Sequence, residues 1–406
     1  MHVIFVEPSF PRNQREFVRA LSQVGAHVTA IGEAPLAALD AETKRHLHGY
    51  EQVPSVVNEQ ALLQTVRAIQ EREWVDRLEA TIEAHILPVA RVRGAAEIPG
   101  TSVSTAFLCR DKPAMKDALR EAGVPCAQST GASTREEVVS FAKEVGYPLI
   151  LKPRDAAGAS GIYRADDEAS LEKAMDESGL DMGISVAVEE FVEGHEGFYD
   201  TLCNEGEVVH DFVCHYYPGV LEAMRERWIS PQIVCTNQTD DATYGELREM
   251  GKKVIEVLDI KTSATHMEWF FGPKGLKFSE IGCRPPGVGT WDLYGAGNDI
   301  DLYREWAQIL VHGGTEAKPS RAHSSGMIAL RPDQDGAISG YEGVETMMAK
   351  HATHIIDSHF PPHGSRTQGV EGGYMANSWV RARHSEYDSL RGILNEIGEK
   401  IHVHAR

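Results

Sequence analysis

The sequence predicts an α/β protein with α+β parts: a parallel N-terminal layer, a small α+β unit and a larger antiparallel C-terminal part. Three observations predict it. The chain opens strand–helix–strand. Residues 3–6 are apolar throughout, 13–24 set Phe17, Leu21 and Val24 on one helical stripe ended by Gly25, and 27–31 reads as the next strand. From residue 198 onward, short β-rich runs are joined by tight turns, as at 204–207. At 406 residues the chain is too long for one ordinary core.

The first strand ends in Glu7-Pro8-Ser9-Phe10-Pro11, which has no Gly-x-Gly-x-x-Gly and so does not predict a dinucleotide site. A helix follows near 60–72. Lys112-Pro113 opens another, with Met115, Ala118, Leu119 and Ala122 as its apolar face and Gly123 and Pro125 as its stop. Thr134-x-x-Glu137 is a capping box for a helix to about 144. Strands at 146–153 and 162–165 flank the small-residue loop 154–161, and a helix covers 167–177. Residues 186–196 lead into the second sheet, with antiparallel strands at 198–203 and 208–214. A helix at 246–258 precedes a hairpin over 266–287. Helices at 301–311 and 386–400 complete the pattern, and 312–325 reads as a linker. The expected division is 1–108, 109–190, 191–315 and 316–406.

A net charge of −20 leaves no basic face for nucleic acid or an anionic membrane, so a phosphate ligand would need local lysines, arginines or a metal. No apolar run reaches the roughly 18 residues of a membrane span, and the opening Met-His-Val-Ile-Phe-Val-Glu-Pro does not read as a signal peptide. Six cysteines without a Cys-x-x-Cys pair suggest reduced thiols in a cytoplasmic protein. His351 and His354, or His402 and His404, read as solvated or packed side chains rather than a metal site.

The hairpin carries the sharpest chemical signal. If Pro273 to Gly275 form a three-residue loop with Gly275 left-handed, Glu268 falls opposite Glu280. Opposed like charges destabilise a sheet, and a hard cation such as Mg²⁺ would reverse that. Arg284, four residues on, offers a donor fork for a carboxylate or phosphate. In Arg154-Asp-Ala-Ala-Gly158-Ala-Ser160-Gly161, the glycines and lack of bulk would let backbone N–H groups approach phosphate oxygens; a plain hairpin turn is the alternative. Lys152 ends a strand at this loop and reads either as a phosphate ligand or as a snorkelling surface lysine. Lys112 starts a helix, where the dipole does not favour a cation, so it is either solvated or drawn there by a polyphosphate. Glu189 could accept from an adenine amino group, the main chain near Val192 could read the purine edge, and Glu196 could accept from ribose hydroxyls. Taken singly, each glutamate reads as a solvated acid.

In this order, the Lys112 helix start, Lys152, the small-residue loop, Glu189-x-x-Val192-x-x-x-Glu196 and Glu280-x-x-x-Arg284 resemble the ATP-grasp superfamily of carboxylate–amine ligases. The resemblance covers nearly the whole chain. It implies that Lys112 and Lys152 hold ATP phosphates, and that Gly158, Ser160 and Gly161 lie in a mobile lid. It also implies that Glu189 and the Val192 main chain read adenine and Glu196 the ribose. Glu268 and Glu280 would bind Mg²⁺ (or Mn²⁺), and Arg284 and Lys152 would assist phosphoryl transfer. Gly282 stands where many relatives carry Asn, a third metal ligand, which points toward the L-amino-acid (dipeptide) ligases. The implied reaction activates a carboxylate as an acyl phosphate and joins it to an amine, with amino acids or small peptides as substrates. Rival readings are a carboxylase or purine-pathway ligase, a nucleotide-binding protein without turnover, and a plain α/β binding module. His266, Asp292 and Glu222 lie where a base for the amine could sit. The segment 216–238 with Arg225, Arg227 and Trp228, then Arg331 and 287–292, are candidate substrate-pocket segments. Relatives often form homodimers.

Overall fold

The structure, a computed structural model, describes residues 1–154, 161–375 and 377–406. The N-terminal layer is a parallel sheet in the order Gly49–Gln52, His27–Gly32, His2–Val6, Arg77–Glu79. The helix Gln14–Gln23 buries Phe17 and Leu21, as its stripe predicts, and Gly25 ends it at φ +88°. Phe17 packs edge-on against Tyr303 and Trp306 of the helix Leu302–His312, so this layer rests on the C-terminal part of the chain.

The helix Glu83–Ala95 has no counterpart among the expected elements. Its apolar residues lie all round rather than on a stripe, and Pro88 sits inside it, so neither period nor punctuation marks it. The helix Lys112–Glu121 starts where Lys112-Pro113 predicts, but its face differs. Lys112, Met115, Lys116 and Leu119 are buried and Ala122 is exposed, because two lysines turn inward toward acids.

A small antiparallel sheet runs Ser129–Ala132, Val186–Glu190, Leu149–Pro153, Tyr163–Ala165. The strand Val186–Glu190 thus belongs here, and the large sheet begins only at His195. Both capping boxes on its helices form, at Thr134–Glu137 and Asp167–Ser170.

The large sheet runs Gly275–Gly282, Ser263–Gly272, His195–Asn204, Glu207–Tyr217, Gln232–Cys235, Ser324–Leu330, Ser378–His384, Ile355–His359. Strands from both sides of 312–325 pair in this one sheet, so that segment is a connection within a layer rather than a break between layers. The hairpin closes more tightly than its sequence predicts. Gly272 pairs with Gly275 across a two-residue turn, with Gly275 at φ +75°. The register then shifts between Glu268 and Trp269, leaving Ser279 as the extra residue of a bulge, and this brings Glu268 opposite Glu280 after all. All six cysteines are buried and unbridged. Among the described residues no helix is long and apolar enough to cross a membrane.

Candidate functional site

The site lies where the small sheet, the helix Lys112–Glu121 and the hairpin meet. Asp111 caps that helix, accepting from Ala114 N at 3.0 Å and from Arg154 Nη2 at 2.8 Å, which fixes the first turn. Lys112 and Lys116, one turn apart, share a face and are 7% and 1% exposed. Lys152 reaches the same place from the small sheet. Lys116 Nζ lies 2.7 Å and Lys152 Nζ 3.0 Å from Glu189 Oε2; Lys112 and Lys152 lie 3.5 and 3.9 Å from Glu280 Oε2. Burial alone would push the Glu189 carboxyl up, but the two lysines outweigh it and hold its pKa down at about 2. Its Oε1 is buried without a partner among the described residues. Lys112, Lys152, Glu189 and Glu196 are therefore not solvated side chains; all four are buried.

Beside them, burial and the Glu280 charge push the Glu268 carboxyl pKa up. Burial acts on Glu280 in the same sense, but Lys112 and Lys152 prevail and its pKa falls. Two directly opposed carboxylates, one of them short of neutralising charge, are a donor set suited to a hard divalent cation. Glu196 accepts from Val220 N at 2.6 Å, and burial followed by the Glu268 charge pushes it up to about 8.

His266 Nδ1 lies 2.7 Å from Asp200 Oδ1, the Tyr294 hydroxyl donates to Asp200 Oδ2, and His266 Nε2 faces Glu268 Oε1 at 3.8 Å. Burial opposes charge on the ring, but Asp200 overrides it and the pKa rises. A charged ring between two carboxylates fits this geometry better than a free base does. Asp292 is tied to Arg381 at 3.2 Å and to the Tyr303 hydroxyl at 3.1 Å, and Glu222 is exposed.

Arg284 is held from the N-terminal layer. Its Nε donates to Glu83 Oε2 at 2.6 Å, and Arg110 Nη1 donates to Glu83 Oε1 at 2.9 Å. This bridge explains Gly282. A Cβ there would come within 3.0 Å of Glu83 Oε2 and 3.5 Å of Arg284 Cγ, so the space of a side chain at 282 is already filled. Val192 is 9% exposed, and its main chain makes no hydrogen bond with another described residue. Gly161 takes φ +69° and is exposed; Gly158 and Ser160 lie outside the described residues. Among the other pocket segments, Arg225 Nη2 donates to Ile162 O of the small-sheet part at 3.4 Å, Arg227 pairs with Asp335 at 2.7 Å, and Trp228 is exposed.

Sequence reasoning missed Lys116, Glu83 and Asp200. Lys116 had a usable signal, its i+4 spacing from Lys112. Glu83 opens a helix that the pattern does not mark, and Asp200 joins His266 only through strand pairing across 66 residues.

Residues 111–284, the span from the lysine helix to Arg284, match the family model described as "Carbamoyl-phosphate synthase L chain, ATP binding domain". The L-arginine-specific L-amino acid ligase of Bacillus subtilis is 26% identical over 244 residues, and the match spans 58% of this chain and 58% of that relative's length. The crystal structure of an L-amino acid ligase from Bacillus licheniformis superposes with a TM-score of 0.78 at 17% identity, covering 100% of this chain and 98% of that one. The N5-carboxyaminoimidazole ribonucleotide synthetase of Thermotoga maritima gives 0.70 at 15% identity, covering 100% and 99%. Residues 111–284 therefore match this ATP-binding domain family, and the whole chain has the fold of the ATP-grasp ligases.

Proposed function

We propose that the chain is an ATP-dependent carboxylate–amine ligase that activates one amino acid as an acyl phosphate and joins it to the amine of a second, releasing ADP and phosphate. The observation that carries this reading is the convergence of Lys112, Lys116 and Lys152 on Glu189 and Glu280, next to an opposed carboxylate pair and a braced arginine. In this reading the small sheet and its 154–161 loop close over the nucleotide, within the working division 1–108, 109–190, 191–315 and 316–406.

The residues have separate tasks. Phosphoryl transfer asks a protein mainly for positioning and charge. Lys112 and Lys152 take the phosphates, and Lys116 balances Glu189 so that its free Oε1 can accept from adenine. The unbonded main chain of Val192 completes the purine edge, and Glu196 takes the ribose. Glu268 and Glu280 hold Mg²⁺ (or Mn²⁺), which when bound neutralises charge on phosphate oxygens. Arg284, kept in place by Glu83, faces the developing charge of the acyl phosphate. His266 lends positive charge to Glu268.

Glu280→Ala tests the assignment. ADP release with an equimolar mixture of the twenty L-amino acids should fall by about a hundredfold or more. Activity within a few-fold of the parent protein would remove Glu280 from the site.

A further inference from the structure

Arg331 follows the strand Ser324–Leu330 and pairs with no acid among the described residues. Its Nη1 donates to the carbonyl of Glu226 at 2.9 Å, and its Nη2 is buried without a partner among the described residues. The groups that act on its charge are Tyr374 and a second guanidinium, Arg227. Tyr374 is 7% exposed, and its hydroxyl is also without a partner. Its ring lies 6.1 Å from that of Tyr216, Tyr216 lies 5.0 Å from Phe198, and Phe198 lies 4.9 Å from His266, so a run of ring contacts joins Tyr374 to the hairpin that carries Glu268.

Two buried donors that meet no acceptor are costly to keep. A planar guanidinium edge suits a two-oxygen anion, a carboxylate or a phosphate, and a tyrosine hydroxyl can add a further donor. In the reading above the phosphates already have Lys112 and Lys152, which lie against Glu280 and Glu189. An amino acid that attacks through its amine has a carboxylate of its own to anchor, away from the one being activated.

We propose that Arg331 and Tyr374 form the receptor for the unreacted carboxylate of the amine-bearing substrate, which makes that substrate an α-amino acid or peptide rather than a simple amine. The assignment rests on the ligase reading above. It makes Arg331 and Tyr374 binding residues for the second substrate and leaves nucleotide binding to the lysine cluster.

The test compares the parent protein with Tyr374→Phe, Arg331→Gln and Arg331→Lys. Tyr374→Phe removes only a hydroxyl that bonds no described residue, and its ring still fills the same space. Each protein is saturated with Mg²⁺ and a non-hydrolysable ATP analogue. It is then titrated with an equimolar mixture of the twenty L-amino acids, with melting temperature as the readout. The expected result is an amino-acid midpoint raised about tenfold or more in Tyr374→Phe and Arg331→Gln, partial recovery in Arg331→Lys, and an unchanged midpoint for the nucleotide analogue. Unchanged amino-acid midpoints would overturn the proposal. So would a parent protein that does not respond to amino acids, or a nucleotide midpoint that moves instead, which would hand the pair to a phosphate. ADP release by the parent protein judges the ligase reading separately, because the melting shift reports binding without turnover.

Discussion

At the residue scale, the site depends on buried charges that support one another. Glu189 neutralises two buried lysines, and removing its charge takes from Lys116 its paired acid and leaves Lys152 only the more distant Glu280. Glu189→Gln should cost roughly 3–5 kcal/mol of stability, the range for breaking a buried ion pair from one side. Chemical denaturation at neutral pH checks it, and a loss below about 1 kcal/mol would contradict the coupling. The pH sign follows from the lowered pKa. The folded carboxyl binds protons less readily than the unfolded one, so its contribution is full above its ordinary value of 4.5 and fades as pH falls toward about 2. Lys152→Met should weaken ATP binding by about tenfold or more, the scale of a lost charge-assisted hydrogen bond. Calorimetric titration with ATP would show an unchanged Kd if Lys152 has no such task.

At the element scale, the hairpin and the helix Glu83–Ala95 act as one device. The helix presents Glu83 at its first turn, the hairpin ends at Gly282, and Arg284 is caught between them. Gly282→Ala places a methyl 3.0 Å from the Glu83 carboxylate, and Glu83→Gln removes the charge shared by Arg284 and Arg110. Both should lower kcat by about tenfold or more with little change in nucleotide affinity. A fall in ATP affinity with kcat intact would reverse the roles. What was legible here followed local chemistry. The acid-bearing strands, Gly275 in its left-handed turn and the capping box at Thr134 could be read directly from residue types. The two-residue turn and the compensating bulge at Ser279 could not, because register is set by packing on both faces of the sheet. The helix Glu83–Ala95 was illegible for a related reason: its exposed side carries Ala84, Gly94 and Ala95 with only Arg91 charged, so it shows no polar face. Burial was the other gap. A lysine or glutamate reads as solvated until its partners, far along the chain, are known, as with Lys116 and Glu189.

At the scale of the whole molecule, the N-terminal layer bears on the proposed substrate class. Its strand order reverses beside His2–Val6, and ligands of such sheets bind beyond the carboxyl ends of the strands at that point. There Glu7, at φ +60°, accepts from Ser9 N at 3.2 Å and from Glu33 N at 3.1 Å. Backbone N–H groups that could cradle a phosphorylated amine are already bound to a carboxylate, and this favours the proposed amino-acid substrates over a ribonucleotide. The direct measurement is ATP-dependent ADP release by the purified full chain with Mg²⁺, comparing the twenty-amino-acid mixture with bicarbonate and with a phosphorylated sugar amine. The proposed function predicts release with the amino-acid mixture, a peptide-bonded product in equal amount, and background rates with the other two. Release driven by bicarbonate or the phosphorylated amine, with none from amino acids, would contradict it.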